Sequence, residues 1–230
     1  MNAFNMNPTR THHPATRGFT LIELLVVISI IAILAGLLLP AGQAIMRRAA
    51  KQRARAELLK VDLAISAYHA KLGFYPPGNA NTNLSAAATN QLYFELVGCR
   101  PATVSGQPGF VTSDGAVAVT AAQLNLTFGS PGIMNASAAA NSDDGTTAQQ
   151  FLKNIKSAQY GDIIPGVRVL GAQVEGPVMF PSSSGNYISP FCYNASNPTH
   201  NANSFDLWMD VKIGGKTNRI SNWSPVPEVL

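Results

Sequence analysis

The sequence predicts an α+β chain in which a long N-terminal helix packs on a small antiparallel sheet. Three observations predict it. Residues 24–39 form an uncharged apolar run, an apolar stripe at helical spacing continues to Leu72, and short strand-like segments punctuated by Gly, Pro and Ser fill the last third. The 230 residues suit one domain or two small ones, and 46% hydrophobic content excludes wholesale disorder.

The apolar run comes first. Extended back to Phe19 it has 21 residues, with Glu23 as its only charge. As a helix it would span roughly 31 Å, about the hydrocarbon thickness of a bilayer. A single transmembrane helix is the direct reading. A removable secretory signal needs a shorter apolar core and a small-residue cleavage site. Gly42 and Ala44 could supply the site, but the run is too long and Glu23 sits near its start. A plain membrane anchor needs nothing beyond the run itself. Glu23 discriminates, because a carboxylate at this depth costs about 3 kcal/mol. The nearest basic residue upstream, Arg17, is six positions away and on another helix face. Glu23 is therefore either hydrated at the interface or paired with a new amino terminus made by cleavage nearby.

The helix is expected to continue to Leu72. Leu58, Val61, Ile65, Tyr68 and Leu72 recur three and four apart, giving one stripe that packs on a globular head. Gly73 supplies a stop and Pro76-Pro77 prevents continuation. The expected helix covers 19–72, with a kink or local melting around Gly36–Pro40, because Pro40 lacks a backbone donor and crowds the preceding turn. Arg47, Arg48, Lys51, Arg53 and Arg55 crowd it just past the apolar run. They read as a solvated face or as contacts to acids on another copy.

In the head, residues 78–90 read as a loop and 92–97 as a short helix. Residues 101–147, rich in Gly, Ser, Thr and Ala, read as an irregular insertion. Residues 149–158 read as a helix with Phe151, Leu152 and Ile155 on one face. Strands are expected at 167–170, 174–180, 187–193, 205–212 and 217–220. The sheet would pack on the 58–72 stripe.

Charge and chemistry exclude several functions. Residues 1–75 hold nine Lys/Arg against three acids, and the remainder holds seven against nine. The basicity lies in the first third, so a nucleic-acid surface on the head is not expected. Two cysteines exclude a disulfide-dense scaffold and an all-cysteine zinc site. Cys99 and Cys192 are either two thiols or, in an oxidising envelope, a disulfide. Catalytic motifs are absent: Gly214-Gly215-Lys216 lacks the rest of a phosphate loop, and there is no nucleophile elbow or paired-histidine zinc motif.

The stretch Arg17-Gly18-Phe19-Thr20-Leu21-Ile22-Glu23-Leu24-Leu25-Val26-Val27-Ile28 closely resembles the processing and assembly segment of type IV prepilins and type II secretion pseudopilins. The resemblance implies a pilin-like fold and a basic leader at 1–18, carrying Arg10, Arg17 and the His12-His13 pair. A prepilin peptidase would cut between Gly18 and Phe19 and N-methylate Phe19. Glu23, fifth in the mature chain, would pair with the amine of an adjacent Phe19 during assembly. The domain plan becomes leader 1–18, membrane and filament-core helix 19–40, amphipathic helix and turn 41–77, and head 78–230. Pro40 falls where the family commonly carries a helix-kinking proline. The resemblance implies a homopolymer built through N-terminal helices, with an inner-membrane assembly platform and minor pilins or pseudopilins as partners. It places the chain in the inner membrane, head in the periplasm, before assembly.

Residues 67–76 and 205–223 further resemble the major pseudopilins of type II secretion, which can bind calcium through a C-terminal loop. Asp206 and Asp210 are available here, but no compact acidic loop surrounds them, so they read as surface or strand residues. No other cofactor is expected. The alternatives are a type IV pilin forming surface fibres and a membrane-anchored envelope binding protein that never polymerises. An anchored enzyme fits least.

Overall fold

A computed structural model describes residues 18–78, 90–130, 132–138 and 147–230, with the backbone alone at 37–41 and 43. The leader 1–17 and most of the expected 78–90 loop lie outside the described residues. The fold is α+β, with an N-terminal helix and small antiparallel sheets, consistent with a pilin-like fold. Helix α1 is Leu21–Leu72. It crosses the boundary between two compact units, Met1–Ile45 and Met46–Leu230. The backbone stays helical through Pro40, so local melting is not part of this conformation.

In the second unit, α1 buries the expected stripe. Leu58, Val61, Ile65 and Tyr68 are buried, with Ala54 and Ala64 beside them and Leu72 packed at the margin. Each large apolar side chain buried contributes about 2 kcal/mol. Helix α2, Leu92–Val97, is buried on every face. All-round burial of a helix requires that its one charge be satisfied internally. Glu95 does so completely. Its Oε1 accepts from Gln91 Nε2 and the Met134 amide, both at 2.9 Å. Its Oε2 accepts from the Tyr68 hydroxyl at 3.0 Å and the Asn135 amide at 2.9 Å. Burial pushes the Glu95 carboxyl upward, and these four donors pull against it. One carboxylate thus ties α1, α2 and residues 134–135 together.

Among the described residues the strands form three sheets. The first is β1 (Cys99–Val104), β2 (Gln107–Thr112) and β3 (Ala118–Thr120), followed by helix α3 (Ala121–Phe128). Much of the segment expected to be an irregular insertion is therefore regular. The β1–β2 turn needs positive φ at Ser105 and Gly106, as primed two-residue turns do. Thr120 and Gln123 form a capping box that starts α3. The second sheet runs β4 (Tyr160–Ile164), β5 (Val167–Ala172), β7 (Tyr187–Pro190), β6 (Phe180–Pro181). The third runs β8 (Cys192–Asn194), β9 (Asp206–Ile213), β10 (Lys216–Ser221), β11 (Glu228–Val229).

Three expectations fail for identifiable reasons. The helix expected at 149–158 does not form, because the amides of Phe151 and Leu152 both donate to the Leu96 carbonyl and Asn154 adopts φ +54°. Only a 3₁₀ turn, Ser157–Gln159, appears there. The strand expected at 174–180 shrinks to β6. Gly176 sits so close to β7 that a Cβ would lie 2.3 Å from Ser189 Oγ, and Pro177 has no donor. The strand expected at 187–193 divides at Phe191, whose buried ring marks the passage from the second sheet to the third.

The Glu95 cluster generates a stability prediction. Glu95→Ala leaves the Tyr68 hydroxyl and two amides unsatisfied in a dry core, and should cost at least about 3 kcal/mol. Urea denaturation should show a lower midpoint with an unchanged slope. A variant as stable as the parent would refute the assigned role.

Candidate processing and assembly site

Gly18, Phe19 and Thr20 precede the first turn of α1 in non-helical conformation, and Phe19 is 82% exposed. The peptide between Gly18 and Phe19 is therefore accessible. A Cβ at Gly18 would touch nothing within 4 Å, so the chain here is not held by packing.

Glu23 has a partner that the sequence reading missed. The Thr20 amide donates to Glu23 Oε2 at 2.9 Å, the Thr20 hydroxyl donates to the same oxygen at 2.8 Å, and the Glu23 amide donates to Thr20 Oγ1 at 3.2 Å. This is a capping box, and its Thr-x-x-Glu signature is visible in the sequence. Beside the two partners expected for Glu23, water or a new amino terminus, the chain supplies a third: Oε2 caps the helix from which it projects. Oε1 accepts no hydrogen bond among the described residues and remains an acceptor for another group. The Ser29 hydroxyl donates to the Leu25 carbonyl at 2.7 Å. Its donor is thereby used inside the helix.

The rest of this segment is apolar and exposed. Ile22, Leu24, Leu25, Val26, Val27, Ile28, Ile30, Ile31, Ile33 and Leu34 are all among the exposed large hydrophobics. A helix that is apolar all round belongs in a membrane or in a larger core. Among the described residues, no helix is long and apolar enough to cross a membrane. Of the 21-residue run 19–39, side chains are described for 18, residues 19–36, fewer than the ~20 a bilayer requires.

Past the run, the basic residues divide. Arg53 donates to the Gln173 carbonyl at 3.3 Å, and Arg55 donates to the carbonyls of Ser221 and, at 2.8 Å, Ser224. These two hold the head rather than forming a wholly solvated face. Arg47 lies over the Gly214-Gly215 turn.

The remaining candidates do not assemble into a site. Cys99 keeps its thiol, which donates to the Phe94 carbonyl at 3.6 Å, and Cys192 is buried in the third sheet. The disulfide expected as one alternative is therefore not formed here, and burial pushes both thiols upward. His69 stacks on Tyr75 and His200 on Trp223.

Asp206 and Asp210 do not fit calcium. Asp206 Oδ2 accepts from the amides of Thr199 and His200, at 2.7 and 3.0 Å, and from the His200 ring; Oδ1 accepts from the Asn201 amide at 2.9 Å. Asp210 forms a two-pronged pair with Arg219 at 2.8 and 2.9 Å. Their oxygens are directed at protein donors. Among the described residues, no group of three or more His, Cys, Asp or Glu is arranged to hold a metal.

Comparison with known proteins bears on the N-terminal segment. Residues 14–39 match the family model described as the prokaryotic N-terminal methylation motif. The chain is similar to the fimbrial protein EcpC of Eikenella corrodens, 33% identical over 97 residues, which cover 42% of this chain and 61% of that protein. The chain thus matches less than two thirds of that relative's length. No solved structure matches. The motif and the fimbrial relative together support the pilin superfamily.

Asp206 supplies a pH test. Burial pushes its carboxyl up, but the amides of His200, Asn201 and Thr199 and the His200 ring outweigh this and hold it below its ordinary 3.8. A lowered folded value means stability that is present above 3.8 and lost as pH falls through the folded value. Thermal melts should show the parent more stable than Asp206→Asn at neutral pH. That advantage should shrink below about pH 4. A difference independent of pH would contradict the cradle.

Proposed function

We propose that the chain is a subunit of a pilus-like filament, cut between Gly18 and Phe19 by a prepilin peptidase and polymerised through its N-terminal helix. The observation that carries this reading is the all-round apolar, exposed first half of α1 behind an accessible Gly18–Phe19 peptide. Residues 19–40 span the inner membrane before assembly, the head lies in the periplasm, and the same helix enters the filament core afterwards. Glu23 divides its two oxygens: Oε2 caps its own helix, and Oε1 accepts from the methylated Phe19 amine of an adjacent copy. In an apolar core both charges are costly alone and tolerable together. Pro40 provides a bend as the helix repacks. An assembly platform and minor pilin-like subunits are the expected partners.

Two finer readings follow from different observations. The resemblance of residues 67–76 and 205–223 to major pseudopilins supports a role in type II secretion. The similarity to a fimbrial protein supports a surface fibre instead.

Mass spectrometry of the mature protein should find N-methyl-Phe19 as its first residue; an intact Met1 would sink the processing reading. Glu23→Ala should be cleaved normally yet lower filament yield at least about tenfold, the effect of losing roughly 1.4 kcal/mol per contact. Filaments at parental yield would refute the pairing role. A deletion strain separates the finer readings, since a pseudopilin loss blocks protein export and a pilin loss removes surface fibres.

A further inference from the structure

We propose that Arg47, Arg48, Lys51 and Lys216 form a docking surface for the phosphate headgroups of anionic lipids, at the membrane face from which the head emerges. The inference rests on reading residues 19–40 as a membrane helix and adds a lipid class to it. The four side chains surround a hollow of about 340 Å³, shared with Ile213, Gly214, Asn218 and Val229. Two elements far apart in sequence build it. The β9–β10 turn has φ +60° at Gly214 and +80° at Gly215, a primed two-residue turn that glycine permits. The absence of a side chain lets the Arg47 guanidinium lie on it: a Cβ at Gly214 would be 3.0 Å from Arg47 Cζ. That packing brings the α1 cations beside Lys216.

Among the described residues, none of the four takes part in an ion pair. Their neighbours farther along α1 differ: Arg53 and Arg55 hold head carbonyls, and Lys60 pairs with Glu57 at 2.9 Å. Among the described residues, Arg47, Arg48 and Lys51, the α1 cations nearest the apolar run, make no ion pair. Four like charges around one hollow repel each other and favour an anion.

Position selects the anion. Arg47 follows Pro40 by seven residues, roughly 10 Å as helix, which is the depth of a headgroup layer just outside hydrocarbon. Arg and Lys side chains can reach back toward that layer. The rim is mixed: Val229, 59% exposed, lies beside the cations, and Leu230 follows it. Basic groups beside exposed apolar ones match an interface better than open water. The rival occupant is the acidic surface of a second copy; Glu95, Asp162, Asp206 and Asp210 are engaged within their own head, which leaves exposed head acids such as Glu175 and Glu228 for such a contact among the described residues. A cationic flank on the far side of a membrane helix opposes the positive-inside tendency, and lipid phosphates there give it an electrostatic reason to exist.

The test uses the full chain. Flotation with neutral phosphatidylcholine vesicles comes first; a chain that does not float overturns the membrane reading and this inference with it. Native mass spectrometry of the detergent-solubilised chain then counts bound phosphatidylglycerol against phosphatidylcholine. The parent should prefer phosphatidylglycerol, less so as salt rises. Arg48→Gln and Lys216→Gln should each cut that preference about fivefold, Arg48→Lys should retain it, and Lys71→Gln, outside the hollow, should leave it unchanged. A chain that floats but binds both lipids equally, or whose preference survives the double Gln variant, overturns the inference alone. Displacement of the lipid by millimolar inorganic phosphate would make this a free-anion site. Lipid-independent self-association lost in the same variants would assign the surface to a neighbouring copy. Either result would refute lipid docking.

Discussion

The first half of α1 exposes apolar side chains on every face, and this surface is the constraint on which the account depends. Eleven large hydrophobic residues between Leu21 and Leu34 are about half exposed or more. Removing them from water is worth on the order of 10–20 kcal/mol, more than a typical domain's whole stability. Such a surface is sustained only by a second apolar medium. The polar groups on the same stretch are arranged accordingly. Thr20 and Glu23 satisfy each other across the first turn, and the Ser29 hydroxyl is returned to the Leu25 carbonyl. What is left over is one carboxylate oxygen at the end where cleavage would create an amine.

The second unit shows the opposite economy, with its own core closed and its buried charges met. Glu95 is held by donors from α1, α2 and residues 134–135, so the amphipathic half of α1 is fastened by a polar cluster as well as by its apolar stripe. Asp206, the first residue of β9, does comparable work by gathering three successive amides of the preceding loop. Arg55 reaches the carbonyls at the end of β10 and beyond. These contacts let the head be a finished globule on a helix that is not.

What was legible in the sequence followed from periodicity and punctuation. The 58–72 stripe, the stop at Gly73, and the strands at β5, β9 and β10 all announce themselves by spacing and by flanking Gly or Pro. The failures share a cause: tertiary hydrogen bonds override local pattern. Phe151 and Leu152 look helical, but their amides are taken by Leu96. The 187–193 segment reads as one strand because nothing local reveals a change of sheet at Phe191. Within 101–147, residues 101–120 read as irregular because small residues and Thr carry a weak strand signal, although the pairing from Cys99↔Thr112 to Val104↔Gln107 is regular. At the candidate site, Gly18, Phe19 and Glu23 stand out by residue type and position, and the Thr20–Glu23 capping box is legible as Thr-x-x-Glu beside the charge that draws attention first. Glu95 gave no such signal, since only the fold brings Tyr68 to it.

The central claim is that the apolar half of α1 is covered from outside its own chain. Site-specific photocrosslinking from a benzoylphenylalanine at Ile30 tests it most directly, with adducts identified by mass spectrometry in membranes and in assembled material. The account predicts adducts to lipid before assembly and to residues 19–39 of a second copy afterwards. Adducts confined to residues 46–230 of the same chain would contradict it.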